Sequence, residues 1–234
     1  LMSVSAARRL GVPEEKWVYL HGHADITDQD FLNRADVGVS RAADLAAHEA
    51  LRVAGKTIAE IASFDLYSCF PFSVFAFCDV TGLPVDDPRG LTLTGGLPYF
   101  GGPGNSYSLH AIGEIVNELR DKPGEFGLVG AAGGVMSKYS VGVYSTTPAD
   151  WQPDRSKDLQ QQIAALPQIP TIRHVDGDGV DELIPVFGGL ELAYAQQREW
   201  GASGWDRGSD QVRIPGLACG HRGLAPLWWH LRLA

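Results

Sequence analysis

The fourteen residues from Thr94 to Tyr107, TGGLPYFGGPGNSY, constrain this chain more than any other stretch, because five are glycine and two are proline. Such a run is too poor in side chains and backbone donors to be the interior of a helix or a strand, so it reads as a tight loop. It feeds directly into Ser106–Arg120, where Leu109, Ile112, Ile115, Val116 and Leu119 recur at helical spacing. A glycine loop at a helix start turns backbone N–H groups toward a ligand or a neighbouring segment. Asn105 and Ser106 are placed to cap that helix, with ligand contact as a second role for Asn105.

The flanking pattern is that of an α/β chain. A β-rich run at Lys16–His21 precedes a polar, turn-like GHADITDQDF segment. A long helix begins at Ser40, with Ala43, Ala46, Ala47, Ala50 and Ala54 on one face and Gly55 as its stop. A strand at Ser63–Cys69 sends Phe64, Leu66 and Ser68 to one side and Asp65, Tyr67 and Cys69 to the other. Pro71 opens a helix whose aromatic-rich sequence predicts burial all round. Beyond the glycine loop and its helix, Phe126–Val129 and Tyr139–Ser145 flank a second glycine turn, GAAGG, and read as antiparallel neighbours. The order β, α, β, α, α, β, β predicts a mixed sheet covered by helices over residues 1–148. Residues 149–170 read as a linker with one short helix. Residues 171–234 read as a small, irregular β-rich or poorly formed tail, with a hairpin around the Asp176–Gly179 turn and no sustained period after Gly188.

Composition narrows the function classes. A formal net charge of −9 disfavours a general nucleic-acid surface, which needs clustered Lys and Arg. No apolar run approaches the length of a membrane span, and three irregularly spaced cysteines do not make a disulfide framework, so the expected setting is cytoplasmic. His21 and His23 share a strand face without a third ligand and read as a strand edge, so no metal site is expected. The Asp176–Gly179 stretch lacks the closing glutamate of a calcium loop. His110, one turn into its helix, reads as packed or exposed rather than catalytic.

Three segments then stand out in order: Tyr67-Ser68-Cys69-Phe70, the pair Gly95-Gly96 followed by Gly101-Gly102-Pro103, and Ala131-Ala132-Gly133-Gly134. In this order they resemble the HDCF (or NEAF), GG-x4-GHP and CxGG motifs in the C-terminal half of the thiolase superfamily. The likeness is to its acetyl-CoA acetyltransferase-like, sterol-carrier-associated branch and covers residues 1–148. The resemblance implies a thiolase-like C-terminal half, with a mixed five-stranded sheet covered by helices. It further implies a CoA thioester as substrate or ligand with no other cofactor, and usually a dimer. The partner would be an N-terminal thiolase half carrying the nucleophilic cysteine, in the same longer chain or in a separate subunit of a homo- or hetero-oligomer. By position, Tyr67, Cys69, Gly102 and Ala131 take the places of catalytic residues. Tyr67, Ser68, Phe100, Gly101, Gly102, Pro103, Asn105, Gly133 and Gly134 are the expected substrate-binding set. The departures carry physical weight. Tyr67 replaces the Asn or His that holds an oxyanion-hole water, Gly102 replaces the activating histidine, and Ala131 replaces the acid/base cysteine. Glycine and alanine side chains neither move a proton nor aim a donor at a thioester oxygen. Cys69 itself reads as a buried strand-end thiol. The residues therefore leave two functions open: an acyltransferase domain incomplete without its other half, or a non-catalytic scaffold that binds acyl-CoA or a partner protein.

Overall fold

The computed structural model describes residues 2–29, 33, 34, 36 and 38–167, together with the backbones of two strands at 171–175 and 181–185. The chain divides into two units, Leu1–Gln168 and Ile169–Ala234.

The first unit is built on a sheet of order β1-β4-β3-β2, made of β1 (Tyr19–Thr27), β2 (Ser63–Leu66), β3 (Phe126–Gly133) and β4 (Lys138–Ser145). β1 and β3 both pair antiparallel with β4, and β2 pairs parallel with β3. The sheet has four strands where five were expected, and residues 91–93 run beside the outer edge of β2. The Leu66 N–H donates to Leu91 O at 3.0 Å and the Leu93 N–H to Phe64 O at 2.8 Å, around a single bridge between Asp65 and Thr92.

Helices cover both faces, which is why all four β2 residues are buried. Phe64, Leu66, Leu128, Val141 and Val143 pack with α2 (Arg41–Ala54) and α3 (Pro71–Thr81). Val129 and Tyr144 pack on the other side with α5 (Tyr107–Asp121). Alternation thus sends Tyr67 to the α5 face, as the sequence predicts, and Asp65 meets Tyr107 there.

The small-residue face of α2 is fully buried, with Ala42, Ala43, Ala46, Ala47 and Ala50 inaccessible to solvent. Ser40 caps the helix by accepting from the Ala43 N–H, and Gly55 closes it in the left-handed region. With methyl groups alone at the contact, the helix lies so close to β1 that a Cβ at Gly22 would fall 2.0 Å from the Ala50 carbonyl oxygen.

Three sequence expectations are corrected. The polar segment after His21 is not a turn: β1 continues to Thr27, with Gly22, Ala24 and Ile26 alternating inward beyond a register shift between Leu20 and Gly22. α3 is not buried all round, since Phe72 and Phe75 are exposed and the helix packs by Ser73, Val74, Ala76, Phe77 and Cys78. The buried stripe of α5 is Tyr107, Ala111, Ile115 and Leu119, while Leu109 is 61% exposed. A strict four-residue spacing sets this stripe, and it begins at the tyrosine because the polar group of β2 lies beneath it.

Two short helices complete the main-chain course, α1 (Val4–Arg9) before β1 and α4 (Leu97–Phe100) within the glycine-rich stretch. After β4, α6 (Ser156–Ala164) lies along the free edge of β1. Ser156 Oγ accepts from the Asp25 N–H, and the Gln160 amide accepts from the Thr27 N–H and donates to Thr27 O. Leu159 and Ile163 join the core beneath. Side chains so placed occupy edge groups that would otherwise pair with another chain. Upstream of α6, Arg155 and Arg52 both hydrogen-bond the buried Glu49 carboxylate.

In the second unit, β5 (Thr171–Val175) and β6 (Asp181–Pro185) pair antiparallel, with Thr171 opposite Pro185 and Val175 opposite Asp181. The expected Asp176–Gly179 turn and the tail after Gly188, with its tryptophans, lie outside the described residues.

Candidate functional site

The parallel pairing of β2 with β3 sets the site, because it brings the carboxyl ends of both strands to one edge, where open α/β sheets bind ligands. Leu66 is opposite Gly130, and the Tyr67 N–H donates to Gly130 O at 2.9 Å. Tyr67-Ser68-Cys69-Phe70 and Ala131-Ala132-Gly133-Gly134 therefore emerge side by side.

The glycine-rich stretch joins them through Ser68. Its Oγ accepts from the Leu97 N–H at 3.2 Å, and a Cβ at Gly96 would come within 3.1 Å of the same oxygen. Gly95 and Gly96 both take positive φ, of 80° and 93°, which is why two glycines stand at this turn. α4 follows and carries Tyr99 outward, 88% exposed. Phe100 meets the His110 ring edge-on at 5.7 Å. Residues 101–106 are exposed, Gly101, Gly102, Pro103 and Asn105 among them. Ser106 stands at the N-cap of α5 but makes no side-chain capping bond; a single 3₁₀ turn, Gly104–Ser106, leads into the helix instead.

Gly102 is not demanded by its backbone. Its φ lies outside the left-handed region, and a Cβ there would meet only the tip of the Leu97 side chain, at 3.0 Å. A Cβ fits with a small shift of Leu97, so neither backbone conformation nor close contact at the Cβ requires a glycine here.

Beneath the loops lies a buried polar group that sequence reading did not single out. The Asp65 carboxylate is inaccessible to solvent. Its Oδ2 accepts from the Thr94 N–H at 2.8 Å and from Thr94 Oγ1 at 2.7 Å. The Tyr107 hydroxyl stands 2.7 Å from Thr94 Oγ1 and 3.3 Å from Asp65 Oδ1, within hydrogen-bond distance of both. Burial raises the Asp65 carboxyl above its ordinary range, against the lowering effect of these donors. An aspartate in a β-rich run followed 29 residues later by the threonine heading a glycine loop was the available signal, and only β2 packing gave it meaning.

Tyr67 lies edge-on to Tyr107 at a ring separation of 5.8 Å. Burial and then the adjacent Cys69 push its phenol above the usual range, so its hydroxyl stays protonated as a donor. Cys69 is half-buried with its Sγ 3.7 Å from Ser73 Oγ. Among the described residues, no group of three or more His, Cys, Asp or Glu is placed to hold a metal. A shallow hollow lined by Ala62, Arg89, Lys122, Pro123 and Glu125 opens at the other end of the same strands; its cations already pair with Asp87 and Glu118.

The hairpin after Ala131–Gly134 carries backbone strain. Val135 and Met136, the central residues of its turn, take φ of 53° and 62°. That is a type I′ geometry, for which Asn-Gly is preferred and a β-branched residue is costly. The buried Met136 is tied down through its carbonyl, which accepts from Ser40 Oγ. Val135 is 61% exposed and has little packing to lose. Val135→Asn is expected to raise stability by about 1 kcal/mol, measured as the shift of the urea unfolding midpoint; an unchanged or lower midpoint would show that the turn stores no such strain.

No helix of the described residues is long and apolar enough to cross a membrane. No protein-family model matches this chain, and no curated protein matches it. Among solved structures it is similar to SCP2-thiolase-like protein type 1 from Mycobacterium smegmatis, which is described as monomeric. The two share 63% sequence identity with a TM-score of 0.72, over 75% of this chain and 39% of that one. This chain therefore spans well under half the length of that relative. Over the part it covers, it is a thiolase-like protein of the sterol-carrier-associated branch.

Proposed function

We propose that this chain is the acyl-CoA-handling, C-terminal part of an acetyl-CoA acetyltransferase-like acyltransferase of lipid, fatty-acid or sterol metabolism. One observation carries the reading: Tyr67–Phe70, the 94–107 loop and Ala131–Gly134 meet at the carboxyl ends of β2 and β3. Peptide groups of the glycine-rich loops approach an extended ligand closely there, and Tyr67 offers a protonated hydroxyl. Phe100, Gly101, Gly102, Pro103, Asn105, Gly133 and Gly134 form the rest of the proposed binding surface. On this reading, thiolysis or Claisen chemistry needs a nucleophilic cysteine and a proton carrier from a second thiolase half. Exposed Phe70, Phe72 and Phe75 support an apolar surface against such a half. The M. smegmatis relative is described as monomeric, and this chain covers 39% of it, which favours one longer polypeptide over a separate subunit.

The second reading is a scaffold that binds acyl-CoA, or a partner protein, without turnover. Gly102 and Ala131 favour it, since neither can carry a proton.

Calorimetric titration of the chain with acetoacetyl-CoA tests the shared core of both. Saturable binding is expected, and its absence would remove the acyl-CoA reading. Thiolysis assayed with the cysteine-bearing half supplied separates them: turnover lost on Tyr67→Phe would reject the scaffold, and no turnover would reject the acyltransferase.

A further inference from the structure

The Asp65 group touches both ends of the glycine-rich loop and nothing else that needs a carboxylate. Thr94, the residue before Gly95, supplies two donors to one oxygen. Tyr107, the first residue of α5, supplies its hydroxyl to the other side of the same cluster. The twelve intervening positions include residues 101–106, all exposed. Among the described residues no Lys, Arg or His lies within ion-pair distance of Asp65, and its side-chain partners are these neutral donors. A fully buried, cation-free carboxylate is costly, and a neutral residue would serve mere packing better. The cluster is also relayed outward. Thr94 Oγ1 accepts from the Gly96 N–H at 3.3 Å, Gly96 abuts Ser68, and Tyr107 abuts the Tyr67 ring.

We propose that Asp65 is the positioning residue of this site: through Thr94 and Tyr107 it pins both ends of the 94–107 loop and holds the Gly101-Gly102 backbone in place relative to Tyr67. Closing a loop at both ends on one rigid strand removes the freedom that a ligand would otherwise have to freeze, so the clamp raises affinity without touching the ligand. The affinity part of this inference rests on the acyl-CoA reading above; the ordering of the loop does not.

The test uses Thr94→Val, which keeps the shape and the N–H but loses the hydroxyl, and Tyr107→Phe, which keeps the ring. Thr94→Ser restores the donor. Amide hydrogen exchange across 95–106 is measured together with the dissociation constant for acetoacetyl-CoA. Exchange in the loop is expected to speed up in Thr94→Val and Tyr107→Phe, with the β3–β4 hairpin unchanged, and to return to the wild-type rate in Thr94→Ser. Affinity is expected to fall about tenfold in the first two and to recover in the third. Wild-type loop exchange in both Thr94→Val and Tyr107→Phe overturns the clamp. Faster loop exchange with unaltered affinity overturns the role in binding. If the wild-type chain binds no CoA ester, the acyl-CoA reading fails, and loop exchange alone judges the clamp.

Discussion

Gly22→Ala is expected to destabilise the first unit by about 3 kcal/mol or more, the upper end of the cost of overpacking a core. The added methyl would lie 2.0 Å from the Ala50 carbonyl oxygen and 2.9 Å from both the nitrogen and the Cβ of Ala54. Two of those atoms belong to helix backbone, which cannot rotate aside as a side chain does. Relief requires α2 to lift from β1, loosening Ala43, Ala46, Ala47 and Ala50 together. Small domains hold only about 5–15 kcal/mol in total, so one such change removes a large share. Gly113→Ala is the matched control: nothing lies within 4 Å of its added Cβ, and in the interior of α5 it is expected to gain up to about 1 kcal/mol. Denaturant unfolding of the two variants checks both signs; equal effects would mean that the α2–β1 contact is not as close as described.

Glu49→Gln is expected to cost about 2 kcal/mol and to release α6 from the β1 edge. Only 1% of the Glu49 side chain is exposed, and its carboxylate accepts from Arg52, from the Arg155 guanidinium and from the Arg155 N–H at 2.7 Å. Bonds to charged groups are worth more than neutral ones, but both guanidinium groups are about half exposed and water screens part of the gain. Hydrogen bonds from Arg52, ahead of the opposing effect of burial, hold the Glu49 carboxyl down at about 2, against 4.5 ordinarily. Its depressed value makes its stabilisation complete above about 4.5 and lost as the pH falls toward about 2. The stability difference between wild type and Glu49→Gln should therefore be constant near neutrality and shrink over that acid range. A difference that persists at pH 2, or unchanged exchange protection across 156–164 in the variant, would contradict the role assigned to Glu49.

Both residues show how far the sequence could be read. The alanine stripe of α2 was visible as a period, and Gly22, Ala24 and Ile26 alternate plainly once β1 is known to continue. What hid the strand was the polar character of His21, His23, Asp25 and Thr27, which suits a turn until α6 is seen covering that edge. Glu49 falls outside the alanine stripe, and no period along the chain marks it for burial. It is buried because Arg155, 106 positions later, folds back onto it. The exposed Phe72 and Phe75 ran the other way: hydrophobicity all round α3 promised burial, but the described residues cover one face only.

The sequence by itself determined most of the helices and strands though not all their bounds, the order of the three motifs and the loss of proton-carrying side chains at Gly102 and Ala131, because these depend on residue type and short-range period. Tertiary structure alone decided that the motifs meet, since that follows from the parallel β2–β3 register and the bond from Leu97 to Ser68. It alone showed that the 94–107 loop is anchored at both ends to one buried carboxylate. Such pairings join residues dozens of positions apart through burial and hydrogen-bond geometry, and neither leaves a periodic trace along the chain.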